Sequence, residues 1–214
     1  MVRSVMKRLD DMAAMDADTA ARQGREALFR DMPRLETPRL TLRAPKMEDA
    51  QDMYAYSRDP EVARYVLWDA HRGLWDTRAY LRAVIRRNRQ GGPGTFAIAE
   101  KASGRMIGTI GFMWIDADHR SAEVGYSLAR DCWNRGYATE ALRETLRFAF
   151  EQLGLNRVEG QCDVRNPASG RVMAHAGMRY EGRLRERIFL KGEYADVRLY
   201  ALLHRDWLAL TGSE

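Results

Sequence analysis

The stretch between residues 121 and 164 constrains the fold of this chain most strongly. AEVGYSL alternates apolar and polar residues and predicts a strand, and RVEGQCDV predicts a second one. Between them, residues 135–153 carry apolar side chains at helical spacing, and Gly154 is a suitable helix end. A strand, a helix and a strand in succession predict a right-handed crossover between two parallel strands.

The rest of the chain predicts further strands and helices around this unit. Strands are predicted at RLTLRA, which alternates like an edge strand, at TFAIAE and MIGTIGFMWID, and on both sides of a hairpin turn at Lys191-Gly192. Helices are predicted up to Ser57, from Asp59-Pro60, over residues 77–88 and over residues 166–176. Short turns between consecutive strands favour antiparallel pairing. The expected class is α+β, with a mixed, mostly antiparallel sheet flanked by helices.

The length of 214 residues suits one domain with an appendage. Apolar residues recur at helical spacing near the N-terminus, at Val2, Val5, Met6, Leu9, Met12 and Ala13. Pro33 and Pro38 follow this stripe and close it off. We therefore expect an appended helical segment over residues 1–34, packed on the domain or on a second subunit of a homodimer, and a main domain over residues 35–210.

Composition indicates a globular protein of the cytoplasm. Hydrophobic residues make up 45% of the chain and charged residues 30%, which is ordinary for such a protein. The longest apolar runs are strand-length, so no membrane span is expected. The N-terminus carries several aspartates and lacks the apolar core of a targeting signal. Cys132 and Cys162 have no zinc or disulfide spacing and are interpreted as small apolar fillers.

A formal net charge of +5 and a pI near 9.4 admit a polyanionic partner. Either a nucleic acid or a phosphate-bearing small molecule would fit, and an ordinary solvated surface accounts for the charge equally well. Charge alone does not choose among the three.

The turn CWNRGYATEAL joins the predicted strand to the long predicted helix. The first backbone N–H groups of a helix are unpaired and carry partial positive charge, so they attract anions. Gly136 and Ala138 leave room for an anion to reach those groups, and Arg135 adds a full charge. The alternative is that Gly136 only permits a tight turn.

The block from AEVGYSLARDCWNRGYATEAL to NPASGRVMAHAGMRYEG resembles the GNAT acetyltransferase superfamily. Within it, the chain is most similar to the RimJ/RimL-like enzymes, the ribosomal-protein-alanine N-acetyltransferase type, which modify protein N-termini. The resemblance runs from LETPRLTLRA to ALLHRDW. It implies the GNAT fold, in which the family's parallel β4 and β5 splay apart, and acetyl-CoA as co-substrate, with no metal.

The resemblance also implies a cofactor site. In the family, a Q/R-x-x-G-x-G/A turn holds the pyrophosphate of acetyl-CoA on main-chain amides, and here Trp133 stands at the Gln/Arg position. The implied cofactor-binding residues are Asn134, Arg135, Gly136, Tyr137, Ala138 and Thr139, with Asn166 contacting the coenzyme A arm. Asn166 is also an expected helix N-cap, followed by Pro167 at the first helical position.

Two catalytic residues are implied by the same comparison. Glu123 lies where similar enzymes place a glutamate that acts as base, although a strand glutamate facing solvent or Arg120 is the alternative. Ser169 matches a serine proposed to protonate the departing thiolate, although it could equally serve packing. Many family members use a tyrosine as this acid, and the matching position here is Met173.

Substrate contacts are expected from Tyr65, Trp68 and Trp75, which precede the sheet where related enzymes place acceptor loops, although most such aromatics are core residues. The four histidines are dispersed and have no metal spacing. His175 lies beside the cofactor helix, where it either contacts coenzyme A or faces solvent.

The expected acceptor is a protein N-terminal α-amine. An α-amino group has a pKa of about 7.7–8.0 against about 10.4 for lysine, so far more of it is uncharged at neutral pH. A small amine such as an aminoglycoside, a polyamine or an amino acid stays open. A non-catalytic module that binds coenzyme A or RNA also stays open. Its binding surface would be a basic helix with Arg82, Arg86, Arg87 and Arg89, and RNA is the less favoured ligand.

Overall fold

The computed structural model describes residue 24 and residues 26–212. The predicted apolar stripe near the N-terminus lies outside these residues. The described chain begins with a short helical stretch at residues 26–30, whose Phe29 is buried.

A mixed sheet forms the centre of the described chain. Its strands are β1 (Leu35–Glu36), β2 (Leu40–Arg43), β3 (Thr95–Glu100), β4 (Met106–Asp116), β5 (Ser121–Leu128), β6 (Arg157–Asp163), β7 (Arg179–Leu190) and β8 (Glu193–Leu203). They are arranged in the order β1-β2-β3-β4-β5-β6-β8-β7. The pairings are antiparallel except between β5 and β6, which are parallel. The mixed, mostly antiparallel sheet predicted from the sequence is therefore confirmed.

Helices flank this sheet. They are α1 (Ala50–Ser57), α2 (Pro60–Ala63), α3 (Leu74–Arg89), α4 (Tyr137–Glu151), α5 (Pro167–His175) and α6 (His204–Thr211). Helix α4 is the crossover between the parallel strands, and its buried face includes Leu142, Leu146 and Phe148. Within the described residues, no helix is both long and apolar enough to cross a bilayer.

Strands β5 and β6 pair only at their beginnings. The parallel register joins residues 121–123 to residues 157–159 and ends at the pair Glu123 and Glu159. Beyond it the two strands no longer pair, so the backbone N–H and C=O groups along that edge of the carboxyl half of β5 have no partner on β6. Ligand crevices in sheets with parallel strands commonly form beyond the carboxyl ends of those strands.

Two elements differ from the sequence prediction. Helix α3 begins at Leu74, earlier than the predicted residue 77, because the Asp76 carboxylate accepts a hydrogen bond from the Arg72 N–H and so orders its first turn. Strand β2 is not the outermost strand, because the two-residue β1 pairs along its free side. A two-residue strand is too short to produce an alternating pattern in the sequence.

Candidate active site

Two cavities include the carboxyl half of β5 in their linings. The first has a volume of about 560 Å³ and is lined by the turn that precedes α4 and by α5; we call it the cofactor cavity. The second, of about 430 Å³, is lined by α3, the segment before it and strands β3 to β6; we call it the acceptor cavity. The linings share Tyr65, Val66, Tyr126, Ser127, Asn166 and Ser169. A molecule in either cavity therefore reaches the same wall.

Two residues of the turn before α4 have a left-handed backbone conformation. Gly136 has a φ of 78° and Asn134 a φ of 59°, both in the left-handed region. Gly136 is the N-cap of α4 and provides no side-chain acceptor for the first-turn N–H groups. These groups therefore stay available to a ligand anion. Asn134, Gly136, Tyr137, Ala138 and Thr139 all line the cofactor cavity.

The turn is held in place by an arginine that sequence reasoning did not identify. Arg39 donates to the Arg135 carbonyl at 2.8 Å, and its guanidinium lies 4.5 Å from the centre of the Tyr137 ring. Its Nε donates to the Glu140 carboxylate at 2.7 Å. Of the predicted cofactor residues, Arg135 is not part of the cavity lining. Trp133, which stands at the Gln/Arg position of the motif, donates from its indole N–H to the Leu128 carbonyl at 2.8 Å.

Glu123 is half-buried and lines the acceptor cavity. One carboxylate oxygen accepts from the Trp114 indole N–H at 2.9 Å and the other from the Gln161 amide at 3.0 Å. Trp114 is the cross-strand partner of Glu123, so the hairpin register brings the two together. These donors are neutral, so the carboxylate is oriented by hydrogen bonds and not by the ion pair with Arg120 that the sequence left open.

Ser169 lies on the wall shared by the two cavities. Its hydroxyl is 3.0 Å from the Tyr126 hydroxyl, which also donates to the Ser169 carbonyl at 2.9 Å. Asn166 caps α5 by accepting from the Ser169 N–H, which confirms the predicted N-cap. Met173 is buried and lines the acceptor cavity. The structure thus supplies a tyrosine hydroxyl beside Ser169, but from β5 instead of from α5.

The three predicted acceptor aromatics occupy different places. Tyr65 lies on the shared wall, with the Arg64 guanidinium 5.1 Å from its ring centre. Trp68 lines the acceptor cavity and packs against His71. Trp75 is 67% exposed and is not among the residues that line either cavity. His175, which the sequence left open, lines the cofactor cavity.

Both cysteines are buried and free, and each lines one cavity. Burial raises the pKa of Cys132, in the cofactor cavity, to about 11. Burial likewise raises the pKa of Cys162, in the acceptor cavity, to about 11. Both thiols are therefore protonated near neutral pH and are poor nucleophiles.

The residues that sequence reasoning missed are Arg39, Trp114, Tyr126 and Gln161. Each lies on a different element from the residue that it contacts. For Trp114 a signal existed, because the short turn predicted after MIGTIGFMWID places it opposite Glu123. In the described part of the chain, no group of three histidine, cysteine, aspartate or glutamate side chains could hold a metal ion.

Comparison with known proteins identifies the family to which this arrangement belongs. The model of the acetyltransferase (GNAT) domain family matches residues 39–179, more than half of the chain. The chain belongs to the GNAT family. The resemblance found in the sequence is thereby confirmed, and the enzyme is an acetyl-CoA-dependent N-acetyltransferase that transfers an acetyl group to an amine.

Individual relatives agree with this assignment. An uncharacterized N-acetyltransferase, p20, from Bacillus licheniformis is 34% identical over 82% of this chain and 99% of its own length. The ribosomal-protein-serine acetyltransferase of Escherichia coli is 31% identical over 59% of this chain and 69% of its own. A crystal structure of a GNAT-family acetyltransferase from Bacillus anthracis superposes with a TM-score of 0.73 at 26% identity, covering 81% of this chain and 99% of the other.

The residues of the cofactor cavity fit the acyl donor of this family. The uncapped first turn of α4, entered through a glycine in the left-handed conformation, offers backbone N–H groups to a pyrophosphate. Arg171 adds a positive charge to the same lining.

Proposed function

We propose that this enzyme acetylates the α-amine of a protein N-terminus by direct transfer while both substrates are bound. The observation that carries the proposal is the shared wall of the two cavities, which lets an acyl donor and an amine meet beside Tyr126 and Ser169. Holding two reactants in contact can account for about 7–11 kcal/mol of a barrier.

Glu123 is the proposed base. It faces the acceptor cavity, and its two hydrogen bonds orient the carboxylate there. It accepts the proton that the amine nitrogen loses, directly or through one water molecule. When bound, acetyl-CoA supplies the thioester carbonyl carbon that the nitrogen attacks.

Ser169 and Tyr126 are proposed to handle the second proton. The Ser169 hydroxyl donates its proton to the departing sulfur, and the Tyr126 hydroxyl, 3.0 Å away, is placed to replace it. A proton from solvent, equivalent to the one that Glu123 releases, then restores Tyr126. Burial holds the pKa of Tyr126 above its ordinary value, so this phenol is protonated at neutral pH.

The two cysteines support direct transfer. A route through an acetylated enzyme needs a nucleophile that is partly ionised. Because the pKa values of Cys132 and Cys162 are raised by burial, neither thiol meets this requirement near neutral pH.

The preference for an α-amine has two supports. A single carboxylate base removes a proton far more easily from a group with a pKa of about 7.7–8.0 than from a lysine at about 10.4. In addition, the relative from Escherichia coli is a ribosomal-protein-serine acetyltransferase. We carry the acceptor class of that protein over to this chain as part of the proposal.

The test compares matched peptides. The enzyme is incubated with acetyl-CoA and one of three peptides. The first has a free N-terminus, the second has an acetylated N-terminus, and the third has an acetylated N-terminus and an internal lysine. Thiol release is followed in solution, and the modified residue is located by mass spectrometry. We expect turnover only with the free N-terminus. Equal turnover of the internal lysine would contradict the α-amine assignment, and absence of turnover with any amine would contradict enzymatic function.

A further inference from the structure

The acceptor cavity contains a cation that catalysis does not use. Arg87, in the last turn of α3, lines this cavity together with Tyr80 and Val84 from the preceding turns of the same helix. Its Nη2 donates to the Thr95 hydroxyl at 2.6 Å, which fixes the side chain. Its Nε is buried and has no hydrogen-bond partner.

Arg87 differs from the other arginines on its helix. Arg82, Arg86 and Arg89 are exposed, whereas Arg87 is half-buried and faces the cavity. The basic helix face that the sequence grouped as one surface is therefore divided, because one of its four arginines belongs to the interior wall. A contribution to the surface charge of the outer helix face therefore does not account for the position of Arg87.

The charge of Arg87 is not neutralised within the described residues. No carboxylate there forms an ion pair with it, and its hydrogen-bonded partner Thr95 is neutral. By contrast, Arg165 pairs with Asp163, another residue of the lining, at 2.6 Å. Arg87 therefore brings a positive charge without a protein counter-charge to the cavity lining, so an anionic group of a ligand that contacts its guanidinium gains affinity.

The acceptor cavity lining holds two acidic side chains, Glu123 and Asp163. Burial opposes the ionisation of Asp163, but the hydrogen bonds of Arg165 hold its pKa below the ordinary value. Asp163 is thus already paired, whereas Glu123 is held by the neutral donors Trp114 and Gln161 and has no cationic partner. A polyamine would bring several positive charges to a lining that offers one such carboxylate and also carries the unpaired guanidinium of Arg87.

We propose that Arg87 binds a carboxylate of the acceptor, so that the substrate class is an amine with an acidic group at a fixed distance. This inference rests on the proposed function. Thr95 pairs with Gly111, which pairs with Gly125, two residues beyond Glu123 along β5. Strand spacing and rise then separate the Cα atoms of Thr95 and Glu123 by roughly 12 Å. In an extended peptide, this distance places the carboxylate at about the third residue from the amine.

The first experiment uses the unaltered enzyme. Peptides with a free N-terminus differ only in carrying glutamate or glutamine at the third residue, and a second pair of tripeptides ends in a free or an amidated carboxyl group. The two pairs distinguish an acidic side chain from a chain-terminal carboxylate as the source of the charge. We expect kcat/KM to be at least about tenfold higher for the charged member of one pair, corresponding to about 1.4 kcal/mol.

The second experiment changes the arginine. In Arg87→Met, the advantage of the charged peptide should disappear through a rise in its KM, while the KM of the uncharged peptide stays within about twofold. Arg87→Lys keeps the charge and should retain part of the advantage. Arg86→Met removes an exposed charge one residue away and should leave the advantage intact.

The outcomes separate the two proposals. Equal kcat/KM for both members of both pairs would overturn the carboxylate site while leaving amine acetylation in place. An equal loss of kcat/KM for the charged and the uncharged peptide, in both Arg87→Met and Arg87→Lys, would show that Arg87 only supports the fold. This outcome would also overturn the carboxylate site. Absence of thiol release with every amine would overturn the proposed function itself.

Discussion

Glu123 combines two properties that a base in this reaction needs. Its carboxylate faces the acceptor cavity, and neutral donors from Trp114 and Gln161 fix its orientation without competing for a formal charge. An amide at this position would keep the size of the side chain but could not accept a proton.

We therefore expect Glu123→Gln to lower kcat by about 10²- to 10⁴-fold, the usual contribution of a general base. The affinity for coenzyme A should not change, because Glu123 does not line the cofactor cavity. Thiol release and calorimetry measure the two quantities. The matched control is Glu159→Gln, the register partner of Glu123 on β6, which lines neither cavity. A comparable kcat in the two variants would exclude Glu123 as base.

A substitution at Gly136 tests whether the first turn of α4 binds the anion. A Cβ at this residue would lie 3.3 Å from the Arg39 guanidinium and would be forced into the left-handed conformation. Gly136→Ala should weaken coenzyme A binding about tenfold or more, because the methyl group enters the N-terminal turn of α4. Calorimetry with coenzyme A measures this change.

The control for Gly136→Ala is at the other end of the same helix. Gly154 has a φ of 63°, and a Cβ there meets no atom within 4 Å. Gly154→Ala therefore imposes a similar backbone strain, about 1–2 kcal/mol, far from the cofactor cavity. If both variants lose the same affinity, strain and not the anion site is responsible.

At this scale the sequence offered candidates that lie within single segments. The anion turn at Gly136 was interpreted from its own residues, whereas Glu123 and Ser169 were implied by the family resemblance, and their roles stay predictions. Arg39, Tyr126 and Arg87 were not assigned to the site, since they contact it from other elements. Arg87 in particular looked like one of several surface cations until helix α3 was placed against the cavity.

At the scale of elements, periodicity predicted most helices and strands, including β3 and β4 with their observed bounds. Periodicity did not predict the two-residue β1 or the first turn of α3, because segments this short show no repeating pattern of apolar residues. It also did not predict the register shifts in β4 and β7, because a bulge adds one or two residues to a strand without changing its composition.

Helix α4 is joined to the start of the sheet through one carboxylate. Glu140 accepts from the Thr37 hydroxyl at 2.6 Å, from the Arg39 N–H at 2.8 Å and from the Arg39 Nε at 2.7 Å. Burial opposes ionisation, but these hydrogen bonds hold the pKa of Glu140 below its ordinary value of 4.5. A lowered pKa means that this carboxylate stabilises the fold at pH values above 4.5, and that the stabilisation is lost as pH falls through the folded-state value.

Glu140→Gln should accordingly lower the free energy of unfolding by about 1–3 kcal/mol at pH 7. The difference from the unaltered enzyme should shrink as the pH falls below 4.5 and through the folded-state pKa of Glu140. Urea unfolding at several pH values measures both effects. Glu151→Gln, in an exposed pair with Arg147 at the other end of α4, should cost under about 1 kcal/mol. A Glu140 effect that does not depend on pH would contradict this account.

At the scale of the whole molecule, the packed core includes residues that precede the region matched by the family. The match begins at residue 39, yet Phe29 is 2% exposed and packs 6.0 Å from Phe112 and 6.3 Å from Phe148 between ring centres. A Cβ on Gly94 would lie 2.2 Å from the Phe29 ring, so the ring sits directly on that backbone. The division into an appended segment 1–34 and a domain 35–210 stays a prediction.

Phe29 makes the contribution of this upstream stretch measurable. Phe29→Ala should lower the free energy of unfolding by about 3–5 kcal/mol, because it removes an aromatic ring from a closed core. Leu208→Ala, at a side chain that is 49% exposed on α6, should change it by no more than about 0.5 kcal/mol. Urea unfolding of the full chain measures both. If Phe29→Ala proved as mild as Leu208→Ala, the stretch before residue 35 would be separable from the core, and a domain starting at residue 35 would fold without it.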